Sequence, residues 1–185
     1  MNDYFLKYKP FLLFLGKFFL TYLLLTVFYQ FYLKQFDEKK FETDGFTTLV
    51  AKQVEQVLFF SDVDASAVPH GSQPAIKLFY NKKYVARIIE GCNAASVMIL
   101  FAAFVIAFTG KWKHTILFLL GGFLLIHVLN IIRIALLSAA LYHFPEQEHL
   151  LHGVVFPLFI YGVVFILWVI WVNKFSSYAK KTVAP

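Results

Sequence analysis

Read for its apolar and polar positions, the chain divides into four long apolar runs separated by polar connections. The runs cover residues 11–33, 93–109, 116–142 and 154–173, each near the roughly 17–25 residues that a helix needs to cross a hydrocarbon core. They predict an all-α integral membrane protein with four transmembrane helices. The first run carries Lys17, lacks a small-residue cleavage site and is longer than the apolar part of a secretory signal, so it reads as a helix that stays in the protein.

The connection 34–91 has organisation of its own. Phe46, Leu49, Val50, Val54, Val57 and Leu58 recur at helical spacing opposite Lys52, Gln53, Glu55 and Gln56, which predicts an amphipathic helix lying in the membrane interface or covering the spans. Residues 61–74 carry Asp, Ser, Gly and Pro and read as a loop. Residues 76–80 and 83–89 are β-prone runs around Asn81-Lys82, so a short hairpin is expected whose second strand leads into Cys92. Four parts follow: a tail and first helix (1–33), an extracytoplasmic segment (34–91), a three-helix membrane core (92–173) and a tail (174–185).

Composition strengthens the membrane reading. Of 185 residues 59% are hydrophobic, 23 are Phe and only 15% are charged, with a mean hydropathy of +0.66; a soluble domain carries about 25% charged residues. The net charge of +6 falls beside the apolar runs, which argues against a nucleic-acid partner and for membrane lipids. Lys7 and Lys9 precede the first run, Lys111 and Lys113 lie between the second and third, and Lys174, Lys180 and Lys181 follow the fourth. With an even number of spans, all three groups fall on the cytoplasmic side. Both termini are then cytoplasmic, and residues 34–91 and 143–152 face outward.

Three polar residues stand out on this frame. Cys92 is the only cysteine, which excludes an intramolecular disulfide. At the start of the second run its thiol would feel the positive end of a helix, favouring the thiolate of a nucleophile; the alternative is a small packed hydrophobe. Arg133 lies nine residues before Tyr142, about 13 Å below the outer end of the third helix. At that depth it needs a polar partner or a water-filled cavity, although an arginine holding helices together through backbone carbonyls is also compatible. Asn130 and His127 extend its polar stripe. His152 lies just before the fourth run and suits an acid/base role; His149 is hard to separate from it, and position favours His152. His143, Glu146, Glu148 and His149 lie nearby, but ligand-like spacing for a metal cluster is missing, so neither a metal nor a cofactor is expected. Glu90, Asn93 and Ser96 flank the cysteine as supporting or substrate-binding candidates, with Asn93 or Ser96 alternatively simple caps.

The Glu-x-Cys-x-x-x-Ser pattern (Glu90, Cys92, Ser96), the Asn-x-x-Arg pattern (Asn130, Arg133) and a histidine at the outer end of the next helix (His152) together resemble the exosortase/archaeosortase family of membrane transpeptidases. The Glu-Gly-Cys-Asn-Ala motif and the His-Gly-Val-Val-Phe-Pro run (152–157) are similar to the short exosortase F type. The resemblance covers about residues 75–173. It implies that Cys92 is the nucleophile, Arg133 the essential arginine and His152 the acid/base. It also implies a bacterial inner-membrane location with the site facing the periplasm. Its targets would be exported proteins with a C-terminal signal made of a short motif, a membrane helix and a basic tail, and its acceptor a surface lipid or glycan. One departure is Cys92-Asn93-Ala94, where most exosortases carry Cys-Ser-Gly. If that glycine serves the approach of substrate backbone, Ala94 implies a different cleft or motif.

The chemistry then expected is attack of the Cys92 thiolate on a peptide carbonyl, thioester formation, protonation of the leaving amine by His152 and charge stabilisation by Arg133. Three other readings compete. A non-catalytic scaffold or assembly protein makes Cys92→Ala silent. A transporter component needs polar residues through the full membrane depth. A hydrolytic cysteine protease shares the nucleophile and ends with water.

Overall fold

The computed structural model describes residues 2–108 and 110–176. Thr109, Lys180 and Lys181, the side chain of Lys7 and most of the 174–185 tail therefore lie outside the described residues. In chain order the elements are α1 (Asn2–Leu33), α2 (Gly45–Phe59), β1 (Ala65–Pro69), β2 (Ile76–Tyr80), β3 (Lys83–Ile88), α3 (Ala95–Ala107), α4 (Trp112–His143) and α5 (Pro145–Phe175).

Three helices are long and apolar enough to cross a membrane: Tyr8–Leu33 within α1, α4 and α5. α3 has 13 residues, about 20 Å at 1.5 Å per residue. It is shorter than the predicted 93–109 span because Ala94 adopts a left-handed conformation at its start (φ 64°) and Phe108 turns extended at its end. α3 runs antiparallel to α1: Asn93 Nδ2 donates to the Tyr29 hydroxyl (3.0 Å) at one end, and Phe14 packs on Phe108 at the other (4.3 Å between ring centroids). Its far end also meets α5, where the Trp171 indole donates to the Phe108 carbonyl (3.2 Å) and Gly110 bridges to Ser176.

The predicted outer loop 143–152 is helical instead. α5 starts at Pro145 and continues through a π-helical stretch, Leu151–Val155, into a regular helix from Phe156. The physical reason lies in Pro157, which has no N–H and whose ring would press on the carbonyl of Gly153. Widening the preceding turn, with the Phe156 N–H bonded to the Leu151 carbonyl, lets the helix continue without a sharp break.

Above the helices sits a small cap. The expected hairpin forms, with Asn81 and Lys82 both at positive φ (48° and 65°), the signature of a type I′ turn that matches strand twist. The segment read as a loop supplies a further strand: β1 pairs antiparallel with β2, giving a three-stranded sheet in the order β1-β2-β3. β1 lacks a clean alternation, and its pairing with β2 (Ala65 opposite Tyr80, Pro69 opposite Ile76) was not visible locally. The amphipathic helix is α2, capped by the Asp44 carboxylate accepting from the Thr47 N–H (2.9 Å). Its Val50, Ala51, Val54 and Leu58 pack with Ile76, Leu78 and Ile88 of the sheet and with Ile131, Ile134 and Ala135 of α4 in one core. Leu49 and Val57, counted on the same apolar face, remain exposed.

The Gly121-Gly122 pair on α4 gives an internal test of packing. A Cβ at Gly122 would collide with the ring of fully buried Phe101 on α3, whereas one at Gly121 meets nothing within 4 Å. Gly122→Ala is expected to lower thermal stability by about 1–3 kcal/mol through overpacking. Gly121→Ala should leave it unchanged or higher. Thermal melting of the two variants in one detergent checks both.

Candidate active site

Cys92 lies in a single 3-10 turn, Glu90–Cys92, between the end of β3 and α3. It is therefore not the first residue of a membrane helix, as its position in the apolar run implied. The turn is closed by the Cys92 N–H donating to the Ile89 carbonyl (2.8 Å) and the Asn93 N–H to the Glu90 carbonyl (3.2 Å). Asn93, only 1% exposed, fixes the turn in place. Its side-chain carbonyl accepts from the Ala95 N–H (2.8 Å), and its amide donates to Tyr29 on α1 and to Thr47 on α2 (both 3.0 Å). Asn93 thus anchors the turn to α1, α2 and the first N–H of α3.

Asn130 holds the same turn from α4. Fully buried, it donates to the Cys92 carbonyl (2.8 Å) and accepts from Arg133 Nη1 (3.2 Å). One amide thus ties the cysteine's backbone to the arginine one turn further along α4. Arg133 Nε is buried with no partner among the described residues, so the guanidinium keeps donor capacity, and Cys92 and Tyr161 are near enough to interact with it electrostatically.

A cleft of about 200 Å³ joins these groups. It is lined by Val85–Ile89 at the end of the sheet, by Cys92, by Arg133, Ile134, Leu137 and Leu141 of α4, and by Glu148 and His152 of α5. Cys92, Arg133 and His152, brought from three separate elements, share this cavity. His149 lines a neighbouring cavity and not this one, which separates it from His152. The His152 side chain is exposed and sits in the π-helical stretch of α5.

Other candidates go elsewhere. Glu90 lies beside the Tyr29 hydroxyl and lines a separate cavity with Gln30, Thr43 and Asp44. Ser96 is exposed on α3 and is absent from the cleft lining. His127 leaves the arginine's stripe: its Nε2 pairs with Gln53 Oε1 (2.9 Å) and its ring stacks on Phe46, tying α2 to α4. Among the described residues no group of three or more His, Cys, Asp or Glu is placed to hold a metal ion.

Glu148 lines the cleft and Tyr161, outside its lining, stands near Arg133; neither is a site candidate on sequence alone. Glu148 lies one turn before His152, a spacing that puts both on one helix face and is the signal the sequence offers. Tyr161 carried no signal, because only the packing of α5 on α4 brings it near Arg133.

The left-handed backbone of Ala94 (φ 64°, ψ 11°) gives the departure from Cys-Ser-Gly a local cost. Glycine adopts this conformation freely, while alanine bears about 1–2 kcal/mol for it. The position is set by the turn from Cys92 into α3, and Ala94 is itself buried. Ala94→Gly should change stability by less than about 1 kcal/mol, since relief of strain offsets a lost buried methyl. Ala94→Val, β-branched at positive φ, should cost about 1–3 kcal/mol. Melting curves of the pair read both outcomes.

The cap, the apolar helices and the thiol-bearing cleft define a helical integral membrane protein. The family model for transmembrane exosortases (EpsH) matches residues 9–172, so the chain belongs to that family. No curated protein and no solved structure matches the chain.

Proposed function

We propose that this protein is a membrane-embedded cysteine transpeptidase of the exosortase F type. It cleaves a C-terminal sorting signal of exported proteins at the outer face of the bacterial inner membrane and transfers the protein to a surface acceptor. The observation that carries this reading is the shared lining of one cleft by Cys92, Arg133 and His152.

In the reaction, Cys92 Sγ attacks the scissile carbonyl and forms a new S–C bond. The tetrahedral oxyanion is stabilised by Arg133, whose charge counts for more in a partly enclosed cleft than in water. His152 takes the thiol proton and returns it to the leaving nitrogen as the C–N bond breaks. The thioester is then resolved by an amine of the acceptor, which restores the thiol. Asn130 positions both partners, holding the Cys92 carbonyl and the guanidinium through one side chain.

The topology belongs to the same proposal. α3 completes a fourth crossing, supported by its antiparallel course along α1 and by the meeting of its far end with Ser176. Lys111 and Lys174 then fall at one end of the bundle, the cytoplasmic one by the positive-inside rule. Residues 34–91 form the extracytoplasmic cap and residues 92–173 the catalytic core. Counting about 20 residues from the start of α4 puts the outer membrane boundary close to Arg133. That level suits a scissile bond just outside a target's membrane helix.

The test is to co-express candidate C-terminal-signal proteins with the wild type and His152→Ala and to look for an adduct on this protein. A hydroxylamine-labile adduct with the wild type, and slowed release of processed product with His152→Ala, is the expected result. No adduct with any candidate, together with a Cys92 inert to alkylation, would sink the proposal and leave a scaffold. An adduct resolved by water alone would make it a protease.

A further inference from the structure

β3 is an edge strand: β2 pairs along one side of it, and among the described residues no strand pairs along the other. Side chains of a strand alternate between its two faces, so a cavity lying on one face of a sheet meets every second residue. A bulge in the β2–β3 pairing makes Val85 an extra residue between Tyr84 and Ala86, yet the Cys92 cleft meets not only Val85 but also Ala86 to Ile89 consecutively. A second cavity of about 430 Å³ meets Lys83 to Arg87, again consecutively. Cavities with this lining run along the strand's edge, past its backbone. An antiparallel strand turns alternate N–H and C=O groups away from its partner. Among the described residues, no backbone group of 83–88 takes part in the backbone hydrogen bonds formed outside the ladder.

The two cavities share Val85, Ala86, Arg87, Leu141 and Glu148, so they form one groove leading from the hairpin turn to Cys92. Its far wall is helical, built from Leu141, Pro145 and Glu148. That wall distinguishes it from an open sheet edge, which a second sheet could join and which extended chains seek out. The groove is lined by charges of both signs, Lys83 and Arg87 on the strand and Glu148 on the wall, with Lys83 Nζ over the Tyr142 ring and Arg87 Nη1 donating to Gln73, so charge selects neither an acidic nor a basic occupant. What the groove offers is an unpaired backbone edge ending at a thiol.

We propose that this groove binds an extended segment of the target polypeptide as an added strand on β3, so that backbone pairing delivers the scissile carbonyl to Cys92. This rests on the transpeptidase reading above. At about 3.3 Å per residue the six residues of β3 grip a segment of similar length. Recognition comes chiefly from main-chain hydrogen bonds, with alternate side chains reading the two walls, the mode known as β-augmentation. Val85–Ile89 are thus substrate-binding residues that act largely through their backbone.

The single cysteine makes the test clean, because alkylation of the full-length protein in detergent reports Cys92 alone. The probes are iodoacetamide, iodoacetyl-tri-alanine amide and the three versions of that peptide N-methylated at successive residues. Every rate is normalised to the same reagent's rate with glutathione. The peptide is expected to label Cys92 about tenfold faster than iodoacetamide, the effect of one to two net hydrogen bonds. N-methylation should remove that advantage at alternate positions only, since every second amide faces β3. Ready labelling by iodoacetamide with no peptide advantage, or equal loss at every N-methyl position, overturns strand pairing and leaves the nucleophile standing. A Cys92 inert to all probes overturns the transpeptidase reading and this inference with it.

Discussion

Replacing Cys92 with alanine is expected to lower processing of a membrane-anchored target by at least about 10³-fold while leaving folded yield and melting temperature unchanged. The two halves of that expectation come from different atoms of the residue. The structural contribution of Cys92 is its backbone: its N–H closes the 3-10 turn, and its carbonyl accepts from Asn130 at 2.8 Å. Alanine keeps both. The thiol lies in a core with Ile88, Ile134 and Ala135 and borders the cleft, so its loss removes one polarisable atom at a site that already adjoins open space. Cys92 is the chain's only cysteine, and no serine or threonine lines the cleft, Ser96 included. The measurement is the fraction of target processed in membranes, alongside thermal melting. Full processing by Cys92→Ala would favour the scaffold, in which the thiol is only packing.

Arg133→Gln is expected to lower the rate of processing by about 10²–10³-fold, the scale of removing one preorganised oxyanion donor, with little change in stability. Glutamine can still donate to Asn130, so the link between α4 and the Cys92 turn survives while the charge goes. Among the described residues Arg133 donates one side-chain hydrogen bond, to Asn130, and its Nε is buried without a partner. A guanidinium kept mainly for architecture would have its donors satisfied, since an unpaired buried donor costs about 1–3 kcal/mol. Arg133→Lys should fail to restore the rate, because an ammonium cannot place donors at both Asn130 and an oxyanion in one plane. The reading is checked by the rate of adduct formation and by melting of both variants. A normal rate with a lowered melting temperature would instead make Arg133 a structural clamp.

Much of the architecture was legible because its signals are local. The long apolar runs that become α1, α4 and α5 are properties of consecutive residues, as are the 3.6-residue period of α2 and the turn at Asn81-Lys82. What was misread depended on partners distant in sequence or on a single stereochemical detail. β1 exists because β2 offers it a ladder. The stretch 145–152 is helical because a π turn absorbs Pro157, and α3 is short because Ala94 turns left-handed before it. Cys92 stands three residues before α3 in its own 3-10 turn, for the same reason, and the Asn93 side chain accepts the Ala95 N–H between them.

The site divides along the same line. Cys92, Arg133 and His152 drew notice through chemistry that each residue carries alone: a single thiol, a cation in an apolar helix, and an imidazole at a helix start. Which flanking residues join them was decided by tertiary packing. Asn130 turns from a member of a polar stripe into the bridge between thiol turn and arginine, Glu148 enters the cleft, and Glu90, Ser96 and His127 leave it. The sequence by itself determined membrane insertion and the reactive residue types, because transfer free energy and side-chain chemistry belong to each residue or to a short run of them. Only the tertiary structure decided that β3, α4 and α5 enclose one groove ending at Cys92, because the direction of a side chain in space depends on how helices and a sheet remote in sequence pack together.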